Sequence, residues 1–235
     1  MNKEVSDYML NLENPLIQLF KTTASATYYH SENVMLFLEK IGRELKLDID
    51  FLKIIGLYHD IGKMRYPLFY CENQPKGENI HDTLDPLVST ALITSHVSNT
   101  ISVLTENVPN ISMDIIKAIS SHHGDQVVQS MYNKIDDKAT ADINLFRYPY
   151  QKPYDVYSCA LMVCDTVEAT MKSYNNSGKI TSDNLADNIT AIIQRLIDEK
   201  QLDYLSIGQH RTILSVLIEQ YSSGDQNRIS YEKAE

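Results

Sequence analysis

Thiols are scarce in this chain. Of 235 residues only Cys71, Cys159 and Cys164 are cysteine, an odd number with no CxxC pair. That argues against a thiolate metal site and reads as reduced thiols in a cytoplasmic protein. Long apolar runs are missing too. No stretch approaches the roughly 18 residues needed to span a bilayer, and Met1–Asn11 has no apolar core of a signal peptide. The chain is therefore expected to be soluble, with no membrane contact. Basic residues are few: 21 against 31 acidic ones, a formal net charge of −10. An acidic surface argues against extended contact with duplex nucleic acid or anionic lipid. It leaves room for a small phosphate ligand, because bound cations would reverse the local field. Strand signals are weak throughout, and neither internal repeats nor low-complexity segments stand out.

What is present is helical periodicity. Hydrophobic residues make up 43% of the chain, enough for a globular core. Apolar spacing predicts a helix over 24–45, with Val34, Leu38, Ile41 and Leu45 on one face. Asp48 and Asp50 then start a helix through His59 that ends near Gly62. Residues 65–83 carry Pro67, Pro75 and Gly77 and read as a long loop, which in a compact domain is more often a lid than a spacer. Further helices are expected over 84–107, over 113–122 (capped by Ser112 and stopped by Gly124), in a short piece within 125–137, and over 154–173. Thr181 or Ser182 should cap another running to about 200, and the last covers 210–221. No boundary divides the chain, so it reads as one all-α domain spanning 1–235, with its core at about 13–231.

Five of the seven histidines fall into an order: His30, then His59-Asp60, His96 and His122-His123, closed by Asp165. That is seven imidazole and carboxylate donors from five segments, the supply a two-metal hydrolytic centre needs. Without thiolate, such a set suits Mn, Fe or Zn. A carboxylate beside a histidine at a helix end can bridge two ions, and Asp60 is assigned that bridge. Two ions so held share a water and lower its pKa. Adjacent residues on a helix point about 100° apart, so His122 and His123 converge only if the helix ends beside them. Lys63, three residues past Asp60, can reach the same side and steady phosphate charge or the leaving group.

The stretch His59-Asp60-Ile61-Gly62-Lys63 resembles the defining motif of HD-domain phosphohydrolases, and the full histidine order resembles their binuclear branch. Within that branch the chain is most similar to the cytosolic domain of the PgpH-type, seven-transmembrane HD phosphodiesterases. Supporting stretches are YHDIGKMRYPLFYCENQ from Tyr58, GENIHDTLDP from Gly77, ITSHV from Ile93, His122-His123-Gly124 and Phe146-Arg147-Tyr148-Pro149 with Lys152-Pro153. Further support comes from Asp165 with Val167-Glu168-Ala169, Gln201-Leu202-Asp203, and Arg228-Ile229 with Tyr231. The resemblance implies an HD helical bundle. It implies one ion on His30, His59, Asp60 and Asp165 and a second on Asp60, His96, His122 and His123, with Mn or Fe foremost. It implies hydrolysis of cyclic di-AMP to linear pApA by a hydroxide between two ions, with Asp60 and Lys63 catalytic. Lys63, Arg147, Tyr148 and His81 are the candidate substrate contacts, and a homodimer is left open.

The chain departs from the family pattern in places. The family's transmembrane part is absent, and the start at Met1 favours a free-standing form. The segments SNTISV after Val97 and DQVVQS after Gly124 differ, and Pro149-Tyr150-Gln151 replaces a more usual Pro-Gly-Pro run. These bear on substrate identity more than on chemistry. No Gly-Tyr-Pro follows His122-His123, which disfavours the cyclic di-GMP branch, and Ala26 offers no carboxylate for a third ion. Competing readings are an HD hydrolase of another cyclic oligonucleotide or nucleotide, a diiron oxygenase, and a metal-containing nucleotide sensor. Asp125 and Glu168 are candidates for orienting the ligand imidazoles. Tyr66, Phe69, Tyr70 and Tyr148 are candidates for stacking on a base. His210 carries no assigned role.

Overall fold

A computed structural model describes residues 2–181 and 183–223. Ser182, Arg228, Ile229, Tyr231 and the far end of the expected core lie outside the described residues. Among the described residues the fold is all α-helical, and the only β feature is one isolated antiparallel bridge between Val127 and Arg147.

Ten helices follow in order: α1 (Lys3–Leu10), α2 (Pro15–Thr23), α3 (Ser25–Leu45), α4 (Ile49–Tyr58), α5 (Pro86–Asn107), α6 (Met113–Ser120), α7 (Gln129–Tyr132), α8 (Val156–Asn176), α9 (Leu185–Asp198) and α10 (Ile207–Ser222). The centre is α3, which packs on α4 along one side and on α8 and α10 along others. Val34, Leu38 and Ile41 are completely buried, as the spacing predicts, against Leu52, Ile54, Ile55 and Leu57 of α4 and Leu161 and Val163 of α8. Each such aliphatic side chain stabilises the bundle by about 1.5–3 kcal/mol relative to exposure.

The caps follow local chemistry. Asp48 accepts from the Phe51 N–H at 3.0 Å to start α4. Asp155 with Ser158, and Ser206 with Gln209, form reciprocal capping boxes on α8 and α10. Helix α9 departs from expectation. It starts at Leu185 after Asn184, whose side chain accepts from the Thr181 N–H at 2.8 Å, so Thr181 sits one turn too early to cap it.

Two helices, α1 and α2, precede the first one predicted. They are fastened by Tyr58 at the end of α4, whose hydroxyl donates to the Met9 carbonyl at 2.9 Å and accepts from Asn14 Nδ2 at 3.1 Å. Asn14 also caps α2 through the Ile17 N–H. This long-range anchoring braces the residue immediately before His59. Between α4 and α5 the chain runs through short 3-10 turns at Ile61–Arg65, Pro67–Phe69, Cys71–Asn73 and Ile80–Asp82, the last three within the 65–83 segment. Helix α5 corrects the expectation about apolar runs. By length and composition it could cross a membrane, with a mean hydropathy of 1.3 over an 18-residue window. In this fold it is a bundle helix whose inward positions include Ser89, Thr90, Thr94, His96 and Thr100, all buried.

Candidate metal centre

The ends of helices α4 and α6, the second turn of α3 and the middles of α5 and α8 converge on one buried polar pocket. Two groups of donor atoms form there, each lying within 4.8 Å of one another: His30, His59, Asp60 and Asp165 in one, and Asp60, His96, His122 and His123 in the other. Asp60 is common to both. These are the two sets that the resemblance implies.

The backbone aims the imidazoles. His59, His96 and His122 each donate Nδ1–H to the carbonyl three residues earlier: Gly56 at 2.8 Å, Ile93 at 2.7 Å and Ile119 at 2.6 Å. That bond fixes the ring orientation and turns each Nε2 toward Asp60. The Nε2 atoms of His59, His96 and His122 lie 3.4, 3.3 and 3.8 Å from the Asp60 carboxylate. His30 is turned by Glu168, which takes its Nδ1 at 2.5 Å and is itself held by Asn33 at 2.9 Å. Its Nε2 then reaches Asp165 at 3.0 Å. His123 approaches Asp165 at 3.7 Å, and its ring stacks on Tyr148 at 4.2 Å between centroids.

Helix α6 stops at Ser120, two residues before the expected end. The His122 N–H bonds the Ile119 carbonyl, tightening the chain into a turn, and Gly124 takes a left-handed φ of +52°. A Cβ on Gly124 would also lie 2.3 Å from the Gln201 side chain. This early stop is what lets adjacent histidines face one centre. Gly62 has a different reason to be glycine. A Cβ there would lie 2.4 Å from the His96 carbonyl oxygen and 2.2 Å from the Thr100 nitrogen of α5. The close approach is sealed by the Gly62 N–H donating to Thr100 Oγ1 at 2.9 Å, while that hydroxyl donates to the His59 carbonyl at 3.1 Å. The turn carrying His59 and Asp60 is thereby fixed to the helix carrying His96.

Electrostatics fit cations. With the charges of the protein alone, burial works against ionised Asp60, but Lys63, His59 and His96 hold its carboxyl well below the usual range. Asp165 is also low, because the His30 bond and the neighbouring His59 and His123 imidazoles outweigh burial. Burial opposes a charged His30 and a charged His59, yet Glu168 and Asp165 raise the first to about 10, and Asp60 and Asp165 raise the second to about 9. Burial pushes His122 down to about 3 and His123 well down, leaving both as bare donors. His59 Nε2 and Asp60 Oδ1 are buried without a hydrogen-bond partner among the described residues. Asp60 Oδ1 faces the bare Nε2 atoms of His96 and His122 at 3.3 and 3.8 Å; acceptors so arranged are costly unless a cation sits between them, so the donor set fits divalent metal.

Lys63 does reach the centre. Its ammonium lies 2.8 Å from Asp60 Oδ2 and 3.0 Å from Glu72 Oε1. A cavity of about 840 Å³ opens over the site, lined by Lys63, Phe69, Tyr70, Glu72, His81, His123, Tyr148 and the face of α8 from Asp165 to Asn176. His81 is buried, with Nε2 donating to the Phe69 carbonyl at 2.7 Å.

Other candidates go elsewhere. Arg147 does not line the cavity; its guanidinium donates to the Asp125 carbonyl at 2.8 Å and to Asn144 at 3.2 Å, which ties the loop to itself. Asp125 faces Gln201 and Lys152 rather than His123. Tyr66 stacks on Phe69 and is absent from the lining. Glu168 does orient a ligand candidate, His30. Glu72 was not singled out from the sequence, although it lies in the family-like Glu72-Asn73-Gln74 stretch.

Comparison with known proteins gives a consistent answer. The sequence model of the HD domain matches residues 27–170. The cyclic-di-AMP phosphodiesterase PgpH of Bacillus subtilis (strain 168) is 27% identical over 194 residues, covering 82% of this chain and 26% of that protein. PgpH of Listeria monocytogenes serotype 1/2a is 30% identical over 199 residues, covering 83% and 26%. The chain thus spans about a quarter of the length of the curated relatives it matches. The crystal structure of the L. monocytogenes PgpH HD domain in complex with cyclic-di-AMP aligns with a TM-score of 0.83 at 27% identity, covering 91% of this chain and 99% of that one.

Proposed function

Because this chain belongs to the HD-domain family, we propose that it is a metal-dependent phosphodiesterase that hydrolyses a cyclic dinucleotide, with cyclic di-AMP as the substrate. The observation that carries this reading is the pair of histidine and aspartate donor sets sharing Asp60. The likeness to a domain solved with cyclic-di-AMP supports the choice of substrate. The reading takes residues 1–235 as one catalytic domain acting in the cytoplasm.

His30, His59, Asp60 and Asp165 would hold one ion, and Asp60, His96, His122 and His123 the other. Two such ions, when bound, supply Lewis acidity and water activation at neutral pH. The protein's own residues do the rest. Lys63 sits at the cavity floor with its charge enforced by Asp60 and Glu72, where it meets the phosphodiester and offsets charge developing on its oxygens. Glu168 keeps His30 turned inward. Tyr148, stacked on His123, walls the centre on the cavity side. Phe69 and Tyr70 offer apolar faces to a base.

The test is protein loaded with Mn²⁺ and incubated with cyclic di-AMP, its products resolved by chromatography and mass. The linear dinucleotide pApA is expected. Turnover of a different cyclic oligonucleotide in the same panel would keep the chemistry and replace the substrate. Oxygen consumption without phosphodiester cleavage would overturn the hydrolase.

A further inference from the structure

Glu72 is a carboxylate at the centre that belongs to neither donor set. It comes from the 3-10 turn Cys71–Asn73, in the segment that roofs the cavity, and its side chain is about one-fifth exposed. Its Oε1 accepts from two directions: the Lys63 ammonium at 3.0 Å and the Thr27 hydroxyl on α3 at 3.0 Å. Thr27 lies one turn before His30, and its oxygen accepts in turn from Asn73 Nδ2 at 2.8 Å. The roof segment is thus stitched to the helix that carries His30. Burial works against ionised Glu72, yet the Lys63 charge keeps its carboxyl below the usual range.

Lys63 has two carboxylate neighbours, Asp60 and Glu72, and they differ in kind. Asp60 is shared by both donor sets, so bound ions would draw on its charge. A lysine ammonium left beside two divalent cations is repelled by them. Asp60 would then hold it less strongly, and the Tyr70 ring, 5.2 Å from the ammonium to its centroid, carries no net charge to offset the ions. Glu168, another buried carboxylate nearby, is engaged by His30 and Asn33. Glu72 is the remaining anion in contact with the ammonium, and Thr27 fixes where that anion stands.

We propose that Glu72 is a positioning residue that holds the Lys63 ammonium against the repulsion of the metal centre, so that Lys63 meets the phosphate of the substrate. The inference rests on the phosphodiesterase reading given above. It assigns Glu72 no contact with ions or substrate; its whole effect passes through Lys63.

Such an effect has a signature in a double-mutant cycle. The variants are Glu72→Gln, which removes the charge and keeps the shape, Lys63→Met, and the two combined, with Glu72→Asp as the conservative variant. Metal content is read by elemental analysis, affinity of the metal-loaded protein for inorganic phosphate by calorimetry, and kcat and KM with cyclic di-AMP. Expected is unchanged metal content in Glu72→Gln, with phosphate affinity and kcat/KM each down ~10-fold or more. The double variant should be no worse than Lys63→Met alone, and Glu72→Asp should recover part of the loss. Additive losses, or a Glu72→Gln variant equal to the wild type, would overturn the inference. So would loss of an ion from Glu72→Gln, which would mean that the carboxylate acts on the metal directly. If the wild type cleaves no cyclic dinucleotide, the functional reading fails, while the phosphate-binding cycle still decides the role of Glu72.

Discussion

The Nε2 atoms of His96 and His122 face each other at 3.3 Å, while the Nδ1 of each is already committed to a backbone carbonyl. With that tautomer, both Nε2 atoms are acceptors. Two acceptor lone pairs at this distance repel unless a cation lies between them. Divalent ions should therefore stabilise the fold and not merely decorate it. Saturating Mn²⁺ at about 100 times its dissociation constant is expected to add about 2.7 kcal/mol to unfolding. Thermal melts with Mn²⁺ and with chelator check this: a melting temperature indifferent to metal would contradict it.

Proton linkage gives a second prediction. In the protein without ions, His30 is raised to about 10 and His59 to about 9, so both carry protons at neutral pH. Their pairing with carboxylates contributes stability that is fully present below about pH 6.5. That contribution is lost as pH climbs through about 9 to 10. Metal binding requires the neutral imidazoles, so it must displace these protons. Metal affinity is expected to rise between pH 6 and 9, with about two protons released per chain at pH 7.5. Calorimetry in buffers of differing ionisation enthalpy counts those protons. Affinity that falls as pH rises would reverse the sign.

Glu168 acts on the metal site only through His30. Replacing it by Gln removes the charge that turns the imidazole, while Asn33 still has an acceptor. Metal affinity should drop about 10- to 100-fold with little change in melting temperature. Competition with a chromophoric chelator reads the affinity, and an unaltered value would remove Glu168 from the account.

Gly62 joins stability to function. A methyl group there meets the backbone of α5 at sub-van-der-Waals distance, and backbone cannot step aside as a side chain can. Gly62→Ala should cost about 1–3 kcal/mol and separate His96 from Asp60. Urea midpoint and metal content should fall together. A stable variant that keeps its metals would show that the two elements tolerate separation.

Much of this was legible in the sequence because the signals were local. The buried face of α3 is a spacing pattern, the caps at Asp48 and Ser112 are single residues, and the donor order needs only residue types. The misses share a cause, which is reliance on partners far along the chain. Helices α1 and α2 are held by Tyr58, 44 residues beyond Asn14. The Arg147 guanidinium donates to the Asp125 carbonyl, 22 residues before it, a tie that residue type alone does not reveal. Glu72 gains its meaning from Lys63 and Thr27, the latter 45 residues away. The early end of α6 depends on a tightened turn and a left-handed glycine acting together, where the sequence displayed only the glycine.

The most direct test of the central claim, that Asp60 is shared by two ion sites, is the number of metal ions per chain in the wild type and in Asp60→Ala, read by elemental analysis after Mn²⁺ loading. Two ions are expected in the wild type and fewer than one in the variant, because both donor sets lose their common carboxylate. A wild type that holds a single ion, or an Asp60→Ala variant that retains two, would contradict the account.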